Sequence, residues 1–121
     1  MRAKDFQIIL DRDLCCLHCG STDQTLIPQH RINRGMGGSK KRGSRSNLIV
    51  LCSLINGLIE SDADWAQTAR DCGWKLQPWD DPLQMPVWDQ TTQAWWMLDD
   101  QGYRRRADDQ RSAPKSLTDL R

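Results

Sequence analysis

Chemistry-bearing residues are concentrated in the first half of the chain. Cysteines stand at positions 15, 16, 19, 52 and 72, an odd number that leaves one thiol over in any complete disulfide framework. Reduced thiols or a metal site fit better, and two of the five close a tight turn, Cys16-Leu-His-Cys19-Gly20. Cys15 and Cys72 read as core or surface thiols. A second concentration is electrostatic. Residues 29–46 hold Arg31, Arg34, Lys40, Lys41, Arg42 and Arg45 without an acid, so the rest of the chain carries all 16 acids against eleven bases. The net charge of +1 therefore conceals one cationic loop on a mildly acidic body. A charge run is often no more than solvated surface. Here the cations lie beside His30 and among Gly35, Gly37, Gly38 and Gly43, which allow close backbone approach, so phosphate contact is the expectation.

These residues need elements to hold them. Phe6, Ile9, Leu10 and Leu14 fall at helical spacing, predicting a short amphipathic helix over 4–14. Thr25 to His30 has β-branched and apolar character but contains Pro28, which predicts a short edge strand. Glycines and serines make 33–46 a loop. Asn47 to Cys52 is too short for an independent helix and predicts a buried strand. Leu54 to Ile59 opens a helix. Ser61-Asp-Ala-Asp64 resembles a capping box for a second helix that runs to Cys72 and stops at Gly73. From Val87 onward, apolar and aromatic runs separated by polar turns predict two or three antiparallel strands. All six tryptophans lie between 65 and 96, suggesting an aromatic core for this half, packed on the first. Residues 107–121 are charged and polar and predict a disordered tail.

With 121 residues, 38% of them hydrophobic and 27% charged, the chain has room for one domain over 1–106 and the composition of a soluble protein. No apolar run approaches the roughly 18 residues of a spanning helix, and the charged stretch from Met1 to Leu14 is unlike a signal peptide. The expectation is a cytoplasmic protein with no membrane partner.

Four pieces then occur in order: Cys16-x-x-Cys19; Gln29-His30-Arg31; Ser46-Asn47-Leu48-Ile49; and Leu51-Cys52-x-x-Ile55-Asn56-Gly57-x-Ile59-Glu60. This succession resembles the HNH endonuclease family. It resembles more closely the small HNH proteins of actinobacterial phages, with Arg-Gly-Met-Gly-Gly-Ser at 34–39 adding to the likeness. The resemblance covers about 14–62 strongly and the Trp-rich part, about 74–106, loosely. It implies an α+β fold with a ββα-metal (His-Me finger) motif and an appended small Trp-rich antiparallel sheet. It also implies a general base at His30, a task that suits an imidazole titrating near neutrality. Asn47 matches the asparagine that orients that base. Asn56 falls where the family places a metal-binding histidine, and Glu60, one helical turn later, matches the second ligand of that helix. Gln29 holds the position where an Asp or His usually completes the metal shell. Outside the resemblance, Asn47 is equally able to cap a strand or turn, and Glu60 to favour the helix beginning near Ser61.

Two amides and one carboxylate make a hard, weak site, which favours one Mg²⁺ or Mn²⁺ ion over zinc at the catalytic position. Many family members hold a structural zinc with two Cys-x-x-Cys pairs. Here Ile55 replaces the fourth cysteine, leaving Cys16, Cys19 and Cys52, with His18 or water to complete a zinc site. The function expected is metal-dependent DNA cleavage, by nicking or double-strand hydrolysis of phosphodiesters. The alternatives are a degenerate HNH-fold accessory protein that only binds nucleic acid, and a structural or partner-binding protein using the Trp-rich half. DNA is the expected partner, within a host cytoplasm if the chain is phage-encoded.

Overall fold

Residues 3–33, 43–107 and 111–119 are described by the computed structural model, without the side chains of 118 and 119. They form an α+β arrangement of three helices and two small antiparallel sheets. Helix α1 (Ala3–Asp13) presents Ile9 to the interior, as the apolar spacing requires. Strands β1 (Leu26–His30) and β2 (Leu48–Cys52) pair antiparallel with Leu26 opposite Cys52 and His30 opposite Leu48. Pro28 is tolerated because its partner Val50 turns both backbone groups away from β1: Val50 N–H donates to Asp13 Oδ2 at 3.0 Å and its carbonyl accepts from Leu17 N–H at 3.1 Å. All five residues of β2 are buried. Leu48 and Val50 pack with Ile9, while Ile49 and Leu51 enter the larger core, the alternation a two-residue period imposes; Cys52, at the junction with the following helix, joins the larger core as well.

Arg12 and Asp13 close the outer edge of β2. Beside their buried ion pair (Nε to Oδ1, 2.7 Å), Arg12 also donates to the carbonyls of Leu48 and Arg45. Every charge taken out of water there has a partner, which is what makes such a pair tolerable.

Helix α2 (Ser53–Ser61) follows β2 without a loop, and Cys52 caps it, its Sγ accepting from Ile55 N–H at 3.5 Å. Asp62, rather than Ser61, caps α3 (Ala63–Asp71), accepting from Asp64 and Trp65 N–H. The helix stops where Gly73 takes a φ of +73°. Gly73 N–H donates to Arg70 O and Trp74 N–H to Ala69 O, the paired bonds of a Schellman motif. A Cβ at 73 would also lie 2.1 Å from Pro86 O, so glycine is required twice over. Strands β3 (Val87–Asp89), β4 (Ala94–Leu98) and β5 (Arg104–Arg106) form the second sheet in that order.

Two expectations change. The aromatic half keeps no core of its own: Trp74, Trp88 and Trp95 share one cluster with Ile49, Leu51, Ile55 and Ile59, while Trp79 is 78% exposed. Leu17 joins the two halves, donating to Val50 O and accepting from Gln90 N–H. Where a disordered tail is expected, Ser112 O accepts from Trp95 Nε1 at 3.0 Å, Ser116 Oγ donates to Asp71, and Pro114 and Leu117 are buried. Among residues 107–121, 108–110, 120 and 121 lie outside the described residues.

Candidate active site and cysteine cluster

His30 is the last residue of β1 and Asn47 immediately precedes β2. Asn47 is fully buried. Its Oδ1 accepts from Ile32 N–H at 2.8 Å and its Nδ2 donates to Ile32 O at 3.2 Å, while its own carbonyl accepts from Arg31 N–H at 2.8 Å. The amide thus continues the strand ladder two residues past His30 and sets the path by which the chain leaves β1. Its contacts are with the Arg31 and Ile32 backbone, immediately beyond His30.

Arg31 departs from its expected role. It is 0% exposed, and each of its five guanidinium N–H groups meets a backbone carbonyl: Nε at Gly73, Nη1 at Ser46 and Pro82, Nη2 at Met85 and Pro86. Burial, and then the nearby Arg12 guanidinium, lower its pKa, while five acceptors favour the cation. A group so enclosed is unavailable to a phosphate; it joins the end of β1 to the turn after α3 and to the 82–86 loop. Arg45 is also engaged, through Asp5 at 3.0 Å and the carbonyl of Gln101. Arg34, Lys40, Lys41 and Arg42 lie outside the described residues.

Asn56 and Glu60 lie on α2, one turn apart. Asn56 Oδ1 is buried with no hydrogen-bond partner among the described residues, an acceptor left over for a cation or water. The Glu60 carboxylate, 59% exposed, already faces a cation: Lys75 Nζ lies 3.2 Å from Oε1 and 2.9 Å from Asn33 Oδ1. A buried oxygen without a partner and a carboxylate on the same helix are both ligands of the kind a hard divalent ion takes. Gln29 is buried and its Nε2 donates to His30 O at 3.1 Å, which leaves its carbonyl oxygen as the only ligand it offers. Sequence reasoning missed Lys75, which follows the stop of α3 and carries no motif of its own.

The cysteine turn meets the β2–α2 junction. Gly20 N–H closes the turn on Cys16 O at 2.9 Å, and Gly20 takes a φ of +77°. The sulfurs of Cys16, Cys19 and Cys52 all lie within 4.8 Å of one another, Cys19 and Cys52 at 3.7 Å. A tetrahedral ion with sulfur ligands at about 2.3 Å keeps them about 3.8 Å apart, so the three are placed to share one soft ion. Burial pushes the Cys16 thiol up to about 12. For Cys19 burial acts in the same direction, but the Ser21 backbone and the Cys16 and Cys52 thiols donate to it and bring its pKa below the ordinary value. His18 stands apart from this trio, its ring edge-on to Trp65 and Trp74 at 5.1 and 5.9 Å. Ile55, buried three residues after Cys52, offers no ligand, so an ion on these three sulfurs would keep one position for water or another ligand. No helix among the described residues is long and apolar enough to cross a membrane.

Comparison of the chain with protein-family models, with curated proteins and with solved structures finds no match in any of the three.

Proposed function

We propose that the protein is a metal-dependent DNA endonuclease of the HNH type, nicking or cutting by phosphodiester hydrolysis. The observation that carries this reading is the succession β1, connection, β2, α2, with His30 ending the first strand, Asn47 clasping the backbone beyond it, and Asn56 and Glu60 one turn apart on the helix. A buried, unpartnered Asn56 oxygen supports a cation beside α2.

In this reading His30 takes the proton from the attacking water, and Asn47 holds the β1 exit so that the imidazole keeps one direction. Asn56 and Glu60, with Gln29 at the strand end, would hold one Mg²⁺ or Mn²⁺, which when bound polarises a phosphoryl oxygen and stabilises the leaving one. Lys40, Lys41, Arg42 and Arg34 would contact the phosphate backbone. Cys16, Cys19 and Cys52 would hold zinc as a structural clip between the N-terminal turn and the strand–helix junction.

The ammonium already seated on Glu60 favours a second reading, an HNH-like protein that binds nucleic acid without cutting it. Supercoiled plasmid incubated with Mg²⁺ or Mn²⁺ separates the two. Nicked or linear product should form only with added cation, and His30→Ala should slow it by roughly 10²- to 10⁴-fold, as for loss of a general base. Equal rates in parent and variant would remove His30 from the chemistry. Gel-shifted but uncut DNA under every cation would leave the binding reading.

A further inference from the structure

We infer that Lys75 is the resident cation of the Glu60 site, and that a divalent ion must compete with it for the carboxylate. Glu60 is the only acid on α2, so whatever positive charge the site holds depends on it. Lys75 is not a loose surface lysine that happens to reach a glutamate. Its side chain is only 14% exposed, its N–H donates to Ala69 O at 3.1 Å, and the next residue, Leu76, donates to Arg31 O at 2.8 Å. With the stem packed and the backbone fixed at both sides, the ammonium is delivered to one place. There it bridges two elements, Asn33 at 2.9 Å on the exit from β1, three residues past His30, and Glu60 Oε1 at 3.2 Å on α2. An ion taking Glu60 as a ligand would meet the ammonium on the same carboxylate.

The charge count gives the consequence. A site with two amides and one carboxylate offers a divalent ion a single negative charge, and Lys75 cancels it. An ion arriving at Glu60 must displace the ammonium or share the carboxylate with it at a separation of about 5 Å. Even in a water-like dielectric, that repulsion corresponds to roughly tenfold in affinity. The loss of an ordered partner for Glu60 offsets part of the gain when Lys75 is neutralised, leaving an expected tightening of roughly three- to tenfold.

The inference rests on the reading of Glu60 as a metal ligand, and Mn²⁺ binding to the intact protein without DNA, followed by electron paramagnetic resonance, tests the two separately. Lys75→Met and Lys75→Gln should each bind Mn²⁺ roughly three- to tenfold more tightly than the parent, Lys75→Arg should stay within about twofold of it, and Glu60→Gln should bind several-fold more weakly. If both neutral variants match the parent while Glu60→Gln loses binding, the metal site stands and the competition is refuted. If Glu60→Gln binds as the parent does, Glu60 is no ligand and both readings fall. Two neutral side chains are used because Gln preserves a donor toward Asn33 that Met lacks; opposite results from the pair would assign the effect to that contact and not to charge, and would overturn the inference.

Discussion

Replacing Arg31 by lysine isolates the geometry of the most enclosed cation among the described residues. The guanidinium offers five donors in a rigid plane and all five are used, on the carbonyls of Gly73, Ser46, Pro82, Met85 and Pro86, at 2.7 to 3.4 Å. An ammonium has three donors, so at least two buried carbonyls lose their partner. Each unsatisfied buried acceptor costs about 1 kcal/mol or more, giving a loss of about 2 to 4 kcal/mol, a large share of the roughly 5 to 15 kcal/mol that holds a domain together. In a domain of about 100 residues this lowers Tm by roughly 10 to 25 °C. Urea unfolding at neutral pH, followed by tryptophan fluorescence, measures the change, since Trp74 and Trp88 are buried and report loss of the core. The same variant, assayed well below its Tm, should bind DNA with an unchanged salt dependence. Stability within about 1 kcal/mol of the parent, together with a flatter salt dependence, would refute the clamp and return Arg31 to the phosphate-contacting surface.

Neutralising Lys40, Lys41 and Arg42 together should weaken DNA binding for all sequences alike and flatten the log–log salt dependence by about 0.9 for each phosphate that the variant no longer neutralises; an unchanged slope would make that segment solvated surface. Cys52→Ser should remove stoichiometric zinc from the purified protein, as read by atomic absorption, because the remaining pair, Cys16 and Cys19, leaves an ion two protein ligands short. Zinc affinity should rise with pH, since the ion needs thiolates and Cys16, held up to about 12 by burial, must release its proton to bind; affinity independent of pH would exclude Cys16 as a ligand.

Local order along the chain was largely legible in the amino acids. Apolar spacing marked α1, the run from Leu48 to Cys52 marked β2, and Gly73 marked the end of α3, because each signal is carried by neighbours a few residues apart and needs no distant partner. Pro28 correctly announced an edge strand for the same reason. Asn47, Asn56 and Glu60 were likewise placed relative to their own strand and helix. What the tertiary structure alone decided were the encounters between segments far apart in sequence. Arg31 stands in a cationic run, and nothing local distinguishes it from Arg34; its enclosure follows from the turn at Gly73 and the 82–86 loop being brought against the end of β1. Cys52 joins Cys16 and Cys19 across 33 or more positions because β2 packs beside the N-terminal turn. Lys75 meets Glu60 because α3 reverses the chain between them. Hydrophobic burial is non-directional, so six tryptophans foretold an aromatic core but not that it would be continuous with β2 and α2, nor that Pro114 and Leu117 would be buried as well. Periodicity records which face of an element is buried; which element covers it is settled only when the whole chain closes.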